Sequence, residues 1–586
     1  MKRLICTFLA LLFTVSSTSA LSLQEFSQHH SALLPARGTP VDFSENAENS
    51  LSFDKNALLS SLFESSLTEI RDAILLGLVT SREVTAYFLE RIETYNEKYN
   101  CFITLFPDSL EKAAEKDEKL QKDPDFIPGP LYGVPVIVKD NIHVAGYLTT
   151  NGLSKNSSKI SENNAKIVEN LINSGAIILG KANMSTEAQD ARASRSAAVG
   201  ETKNAYNTTL ASGGSSGGSA VSVSLNFAPA ALGTDTNSSL RVPAALAGCV
   251  ALRVTTGLLS RDGVILLNSA RDVPGAITRS VEDQALMLDV LSGGETDFLA
   301  QLDATILPGT RIGILKQLTY AYSSSGERRQ ENLDPEVQAA FAAAAEELRA
   351  CGAEVVEVSM PSLFSLSEAT FPVGGYKKIP ALTAAFEEFL QKNDLDAVIF
   401  PTYLSAPLRS GKDENGTYWN VYDQVFINNC RTLSPSAAVP EITVPIGCHS
   451  LGAGMGMQIA GPQYSEQLLL NIAHAYTQQY DHRIVPAAAP DLYEGSNSGT
   501  LQELTEEYLR SLLLPEKTLG QASEARRLAA AAVKMDTDLL WREEKNPLPL
   551  LAACLGGGAA AAAVVILLIN SAGRRKRYRG RRVARR

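Results

Sequence analysis

Two stretches near the start of the main body have the apolar spacing of amphipathic helices. Apolar residues recur every three or four positions in both: Leu67, Ile70, Ile74 and Leu78, then Val84, Phe88 and Ile92. Each stretch opens with the residue pair of a capping box, Ser66 with Glu69 and Thr80 with Glu83. In such a box each side chain accepts a hydrogen bond from the backbone N–H of the other residue. The pattern therefore predicts two consecutive helices.

Beyond residue 130, short apolar runs typical of buried strands alternate with helical stretches. The strand-like runs are 134–138, 176–179, 312–315, 354–358, 397–400 and 442–446. Helices are predicted over 165–174, before Gly175, and from Pro335 to Ala350, before Gly352. This alternation predicts an α/β fold with helices on both faces of a sheet. Since no linker interrupts it before about residue 490, we expect one large domain over residues 61–490.

The first 20 residues have the pattern of a secretory signal peptide. Lys2 and Arg3 supply the basic start, residues 4–15 are apolar, and small residues lead to Ala20. We expect a signal peptide at 1–20 and an irregular arm at 21–60. An uncleaved anchor is the alternative, although the apolar run is short for a membrane span of about 20 residues.

The C-terminal end has the pattern of a stop-transfer helix. Residues 548–569 contain no charge, and the tail 570–586 contains nine Lys and Arg residues. By the positive-inside rule, this predicts a transmembrane helix at 548–569 with the body outside the cytoplasm, so that the protein is exported and membrane-anchored. A helical stalk at 491–547 would lead to it. The glycines and alanines of the span leave a processed C-terminal sorting signal as the alternative.

Composition and charge narrow the class of protein. The 586 residues are 45% hydrophobic and 20% charged, which is typical of globular proteins. The net charge is −11, and residues 1–20 and 548–586 together carry 11 basic and no acidic residues, so the stretch between them carries −22. An acidic body repels phosphate backbones, and we therefore expect no nucleic-acid partner.

The cysteines and histidines indicate no metal or disulfide framework. The body contains an odd number of widely spaced cysteines without a CxxC pair: Cys101, Cys249, Cys351, Cys430 and Cys448. The six histidines are scattered as well. We expect no metal and no organic cofactor, and the oligomeric state stays open.

Two segments rich in glycine and serine are candidates for a catalytic site. They are residues 212–219 and 233–241. By composition the first could be a flexible linker. Both segments, however, lie among apolar runs that belong in a core, which favours rigid turns. Glycines in such turns allow backbone N–H groups to point into a site, as an oxyanion hole requires.

Two bases could activate a serine in these turns. Gly213, Ser215 and Gly217 superficially match a nucleophile elbow, which needs a later histidine, but His449, His474 and His482 have no recognisable context. Lys139 ends the apolar run 134–138, and a desolvated lysine can act as a base when neutral. A lysine that merely extends to solvent from a strand end is the other interpretation.

Several ordered motifs together resemble the amidase signature family. They are 133–140 (GVPVIVKD), 149–152 (TTNG), 180–184 (GKANM), 213–218 (GGSSGG), 233–241 (GTDTNSSLR) and 439–447 (VPEITVPIG). The resemblance runs from about residue 67 to about residue 480. It implies the amidase-signature fold, a large mixed β-sheet covered by helices on both faces in a single domain. It also implies hydrolysis of a linear carboxamide.

The resemblance assigns roles to individual residues. Ser239 matches the nucleophile, Lys139 the ultimate base, and Ser215 the bridging serine, which in the family follows a cis peptide bond, here after Gly214. The family's oxyanion-hole N–H groups correspond to Thr236, Asn237, Ser238 and Ser239. Asp235 and Arg241 match residues that hold this loop, and Met184 lies in a region expected to line the substrate pocket.

One departure from the family pattern motivates a second hypothesis. The family usually has two glycines directly before the nucleophile, where this chain has Asn237 and Ser238. A side chain at a position that needs left-handed backbone angles would distort the loop. The leading hypothesis is an exported, membrane-tethered amidase. The alternative is a catalytically impaired amidase fold that serves as a surface binding protein. A role in transamidating charged tRNA conflicts with the signal peptide and the acidic body.

Overall fold

The computed structural model describes residues 54–513, with gaps at 124, 155–158, 295, 320, 323–327, 330–332, 412–418 and 494–498. The predicted signal peptide (1–20), transmembrane helix (548–569) and basic tail (570–586) lie outside the described residues, as do most of the predicted arm and stalk. Within the described ranges, no helix is long and apolar enough to cross a membrane.

The described residues form 15 α-helices and four 3₁₀ turns. The α-helices are α1 (Lys55–Ser60), α2 (Leu67–Leu76), α3 (Ser81–Tyr99), α4 (Ser109–Lys122), α5 (Lys166–Asn173), α6 (Gly217–Ser224), α7 (Arg241–Leu246), α8 (Val281–Leu291), α9 (Lys316–Thr319), α10 (Pro335–Ala350), α11 (Leu363–Glu368), α12 (Ile379–Lys392), α13 (Ser434–Ala437), α14 (Glu466–Thr477) and α15 (Leu501–Leu513). The 3₁₀ turns are Thr186–Ala188, Leu299–Gln301, Gly375–Lys378 and Val421–Asp423.

The same residues form 17 strands. They are β1 (Phe102–Leu105), β2 (Pro135–Lys139), β3 (Leu148–Thr149), β4 (Lys159–Ile160), β5 (Ile177–Ala182), β6 (Arg195–Ser196), β7 (Gly200–Glu201), β8 (Ala230–Asp235), β9 (Val250–Arg253), β10 (Val273–Thr278), β11 (Arg311–Leu315), β12 (Ala321–Tyr322), β13 (Arg328–Arg329), β14 (Glu354–Val358), β15 (Ala397–Pro401), β16 (Glu441–His449) and β17 (Ala453–Ala460).

One mixed sheet of 11 strands organises the body, in the order β1-β5-β2-β8-β10-β9-β16-β17-β15-β11-β14. Strands β5, β2 and β8 run parallel to each other, as do β15, β11 and β14. The other neighbours are antiparallel. The predicted fold class, a single domain with a large mixed sheet and helices, is confirmed.

Local sequence accounts for the first helices. Ser66 caps α2 and Thr80 caps α3, and both predicted capping boxes are formed. Helix α1 begins at Lys55, inside the segment predicted as an irregular arm, and buries Ala57 and Leu58, the latter in the main core. The folded body therefore starts before the predicted boundary at residue 61. At the other end, α15 packs on α2, so the body also extends past residue 490.

The core explains why the central strands are apolar along most of their length. Every residue of β2, β5, β8, β9 and β10 is buried, as in strands covered on both faces. Strands β2 and β8 are parallel neighbours, and their carboxyl ends therefore lie at the same edge of the sheet. Lys139 ends β2 and Asp235 ends β8, which brings two of the predicted site segments together.

Candidate active site

Lys139 lies at the end of β2 with its ammonium group surrounded by hydroxyl groups. Its Nζ is 2.7 Å from Ser215 Oγ, 2.8 Å from Ser216 Oγ and 2.9 Å from Thr234 Oγ1. The lysine side chain is fully buried. The interpretation of Lys139 as a lysine that reaches solvent from the strand end is therefore wrong.

The buried position changes the protonation of this lysine. Burial lowers the pKa of Lys139 to about 7, while the negative charges of Asp235 and Asp272 act in the opposite direction. No carboxylate of a described residue forms an ion pair with its Nζ. A large fraction of Lys139 is therefore neutral near pH 7, so that it can accept a proton from a hydroxyl group.

The loop that carries Ser215 is held by backbone contacts on both sides. The peptide bond between Gly214 and Ser215 is cis, as the resemblance implies. The N–H of Gly214 donates to Ala191 O at 2.9 Å, and the carbonyl of Ser215 accepts from the N–H of Ser185 at 3.2 Å. A Cβ on Gly214 would lie 2.2 Å from Asp190 O, so only glycine fits there.

Ser239 lies in the loop between β8 and α7, beside the Ser215 loop. The backbone N–H of Ser216 donates to the carbonyl of Ser239 at 3.2 Å, which joins the two loops directly. Ser239 is 6% exposed, whereas Ser215 is fully buried. The structure thus brings Lys139, Ser215 and Ser239 into one site, with Ser239 the one of the three that retains some access to solvent.

A buried ionic network holds the start of the Ser239 loop. The Asp235 carboxylate accepts from Arg241 Nε at 3.1 Å, from Arg253 Nη1 at 3.3 Å and from the Leu240 N–H at 3.1 Å. Arg241 also pairs with Glu441. Burial alone would raise the pKa of the Asp235 carboxyl, but the Arg241 and Arg253 guanidinium groups hold it below its usual range. Asp235 therefore stays charged and fixes the loop.

Side chains also hold the two residues that replace the family's glycines. Arg241 Nη2 donates to Asn237 O at 2.8 Å, Arg271 Nη1 to Asn237 Oδ1 at 3.3 Å, and Asn428 Nδ2 to Ser238 Oγ at 2.6 Å. Neither Asn237 nor Ser238 is among the residues with a positive φ. The expected conflict between these side chains and a left-handed backbone is therefore absent at these two positions.

The remaining predicted residues lie close by. Thr236 is buried next to Asp235, with 6% of its surface exposed. Met184 is fully buried, and it directly precedes Ser185, whose N–H contacts the Ser215 carbonyl. Met184 therefore lies next to the segment that contacts the Ser215 loop.

The contacts of the histidines disfavour the nucleophile-elbow interpretation. His449 pairs with Asp334 at 3.3 Å, His474 with Glu282 at 3.1 Å and His482 with Glu347 at 2.8 Å. None of these contacts involves Ser215, whose side chain meets Lys139 instead. Among the described residues, no group of three or more His, Cys, Asp and Glu side chains is placed to hold a metal ion.

Sequence reasoning missed several residues of this site. Ser216 and Thr234 were inside the recognised motifs, and their hydroxyl groups could have been suspected as partners of Lys139. Arg253, Arg271 and Asn428 come from distant segments, and no motif marks them. Asn141 Nδ2 donates to Thr234 Oγ1 at 3.1 Å, and it thereby contacts one of the hydroxyl groups that surround Lys139 Nζ.

Comparisons with known proteins agree with the fold and the motifs. The Amidase family model matches residues 83–377 and 375–470. A glutamyl-tRNA(Gln) amidotransferase component of Alkalilimnicola ehrlichii is 30% identical over 499 residues, which cover 72% of this chain and 99% of that protein. Its counterpart in Thermoanaerobacter pseudethanolicus is 29% identical, over 73% of this chain and 99% of its own length. Native peptide amidase from Stenotrophomonas maltophilia has a TM-score of 0.62 and 27% identity, over 72% of this chain and 98% of that one.

Proposed function

Because the chain belongs to the Amidase family and is therefore an amidohydrolase that acts on C–N bonds, we propose that it hydrolyses linear carboxamides through an acyl-enzyme on Ser239. The observation that carries this proposal is the contact between Lys139 Nζ and Ser215 Oγ at 2.7 Å in a fully buried setting. A neutral lysine there can draw a proton from Ser215, which leaves Ser215 able to take the proton of Ser239.

In the first half of the reaction, Ser239 Oγ attacks the amide carbonyl carbon and forms a tetrahedral intermediate. The proton of Ser239 passes to Ser215, and the proton of Ser215 passes to Lys139. When the C–N bond breaks, the relay returns one proton to the leaving nitrogen, so that an amine or ammonia departs. The acyl group stays on Ser239 as an ester.

In the second half, water replaces the amine. The relay removes a proton from water, the hydroxide attacks the ester carbonyl, and Ser239 recovers its proton as the carboxylic acid leaves. Both tetrahedral intermediates carry negative charge on the former carbonyl oxygen. Backbone N–H groups of residues 236–239 are the proposed donors to that oxygen. The Asp235 network and the contacts of Asn237 and Ser238 keep this loop in place without a left-handed residue at 237 or 238.

The acidic body favours a small amide over an amide carried by tRNA. Curated relatives of this chain belong to glutamyl-tRNA(Gln) amidotransferases, and a structural neighbour is a peptide amidase. Recognition of a tRNA needs a basic surface for its phosphates. The stretch between the two basic ends carries −22, the −11 of the whole chain less the +11 of its ends. We therefore place the substrate among small linear carboxamides.

Trapping of the acyl-enzyme tests this function. Purified full-length protein in detergent is incubated with p-nitroanilides and primary carboxamides of short acids, with and without hydroxylamine. We expect release of p-nitroaniline or ammonia, and conversion of the acyl group to its hydroxamate when hydroxylamine competes with water. Ser239→Ala is the control and should give neither product. Hydrolysis that persists in Ser239→Ala would contradict the proposal.

We further propose that the protein is exported and tethered by residues 548–569. The support is the sequence pattern of the two ends, a signal-like start and an uncharged span before nine basic residues. Fractionation of cells that express the full chain or a chain ending at residue 547 tests this proposal. The full chain should pellet with membranes and the shorter chain should appear in the exported soluble fraction. A full chain that stays in the soluble cytoplasmic fraction would contradict it.

A further inference from the structure

Two arginines lie near the same aromatic ring, that of Phe371, beside the Ser239 loop. The guanidinium carbon of Arg271 lies 3.8 Å from the centroid of the Phe371 ring, and that of Arg431 lies 5.6 Å from it. Arg271 is buried, with 3% of its surface exposed, whereas Arg431 is exposed. Both guanidinium groups lie within the roughly 6 Å at which an aromatic ring attracts a cation.

The two positive charges are not neutralised within the described part of the chain. No carboxylate of a described residue lies within ion-pair distance of Arg271 or Arg431. Arg271 donates instead to the neutral oxygens Asn237 Oδ1 and Thr370 Oγ1. Its neighbour Arg253, by contrast, pairs with Asp235. Burial and the nearby Arg431 both lower the pKa of Arg271, so the protein holds this charge at a cost.

The pair lies next to the residues that perform the proposed chemistry. Arg271 contacts Asn237, which is two positions before Ser239. Asn428, three positions before Arg431, donates to Ser238. A group bound between the two arginines would therefore sit beside the nucleophile loop. Phe371 is 42% exposed, and the neighbouring Val373 is fully exposed, so an apolar chain could lie along this side of the site.

We propose that Arg271 and Arg431 form an anion-binding subsite that accepts a carboxylate on the non-reacting part of the amide substrate. The inference rests on the proposed function and names the substrate class: linear amides with a carboxylate at the end of a short apolar spacer. A carboxylate would supply the missing negative charge and accept charge-assisted hydrogen bonds from the two guanidinium groups. The spacer would pack on Phe371.

A matched pair of substrates tests the subsite. The mono-p-nitroanilide of glutaric acid carries a free carboxylate, and its methyl ester has the same chain without the charge. The wild-type protein should hydrolyse the acid with a kcat/KM roughly tenfold above that of the ester, as expected for one charge-assisted contact. Arg431→Gln should bring this ratio close to one, because the exposed guanidinium is lost.

Arg409→Gln is the matched control, since Arg409 is also exposed and stacks on an aromatic ring, that of Trp419, at 5.3 Å. It should keep the wild-type ratio. Equal hydrolysis of acid and ester by the wild type would overturn the subsite while leaving the proposed function intact. Equal effects of the two substitutions would overturn it as well.

If neither anilide is hydrolysed, the subsite is tested by binding alone. Calorimetric titration of glutarate into the full-length protein should give binding to the wild type that is about tenfold weaker in Arg431→Gln. Absence of glutarate binding to the wild type would overturn the inference. Binding that is equal in the wild type and in Arg431→Gln would overturn it too.

Discussion

Lys139→Met should lower kcat/KM for amide hydrolysis by roughly 10⁴-fold, the loss typical when the base of a nucleophilic relay is removed. Methionine fills much of the same volume but cannot accept a proton from Ser215. The uncharged side chain also removes a charge from a fully buried position, which limits the effect on folding. Steady-state kinetics with a p-nitroanilide, together with circular dichroism to verify folding, measure the effect. A folded variant that keeps a tenth of the wild-type activity would contradict the role of Lys139.

The pH profile distinguishes a base from a merely structural lysine. Lys139 must be neutral to act, and burial lowers its pKa to about 7. Wild-type kcat/KM should therefore fall as the pH drops below about 7. Asp272 contributes a negative charge that raises this pKa, so Asp272→Asn should move the acidic limb to lower pH. The residual activity of Lys139→Met should lack the limb. A limb at the same pH in wild type and Asp272→Asn would contradict the assignment.

Arg241→Met should lower the free energy of unfolding by about 3–5 kcal/mol, as expected when one partner of a buried ion pair is removed. The change leaves the carboxyl groups of Asp235 and Glu441 buried without their main counter-charge. Burial already raises the pKa of Glu441 to about 7 even though Arg241 opposes the shift. Urea unfolding followed by circular dichroism measures the difference.

Lys392→Met serves as the control for this stability measurement. Lys392 pairs with Glu388 on the surface of α12, and both side chains are largely exposed. Loss of such a pair should leave the urea midpoint unchanged within error. Arg241→Lys keeps the positive charge but lacks the planar guanidinium group with its several N–H donors. Its urea midpoint should therefore lie between those of the wild type and Arg241→Met. An Arg241→Met midpoint equal to that of the wild type would show that the network does not support the fold.

The position of Lys139 could be predicted because its surroundings are local in sequence. An apolar run followed by a lysine indicates a buried strand with a charged end, and β2 ends at that lysine. The helix from Pro335 to Ala350 was predictable in the same way, since proline begins it and its apolar face repeats at helical spacing. Boundaries were less predictable: β16 runs from Glu441 to His449, beyond the apolar run 442–446, because pairing with β17 extends it.

Asp235 and Arg241 were predicted to hold the Ser239 loop, but their supporting partners from distant segments could not be predicted from the sequence. Glu441 reaches Arg241 across 200 positions, and Asn428 reaches Ser238 across 190. Contacts of this kind depend on how the strands are ordered in the sheet, and no local pattern encodes that order. The backbone at Asn237 could not be predicted from the sequence either. The sequence alone predicted that its side chain would conflict with left-handed backbone angles. In the structure Asn237 is not among the residues with a positive φ, and its side chain accepts a hydrogen bond from Arg271.

Covalent labelling of Ser239 tests the central claim most directly. Full-length wild-type protein, Lys139→Met and Ser239→Ala are treated with a fluorophosphonate probe, and the labelled peptide is identified by mass spectrometry. The relay from Lys139 through Ser215 predicts one labelled residue, Ser239, in the wild type and no label in either variant. Labelling of Ser215 instead, or labelling of Ser239 that proceeds equally fast without Lys139, would contradict the proposed relay.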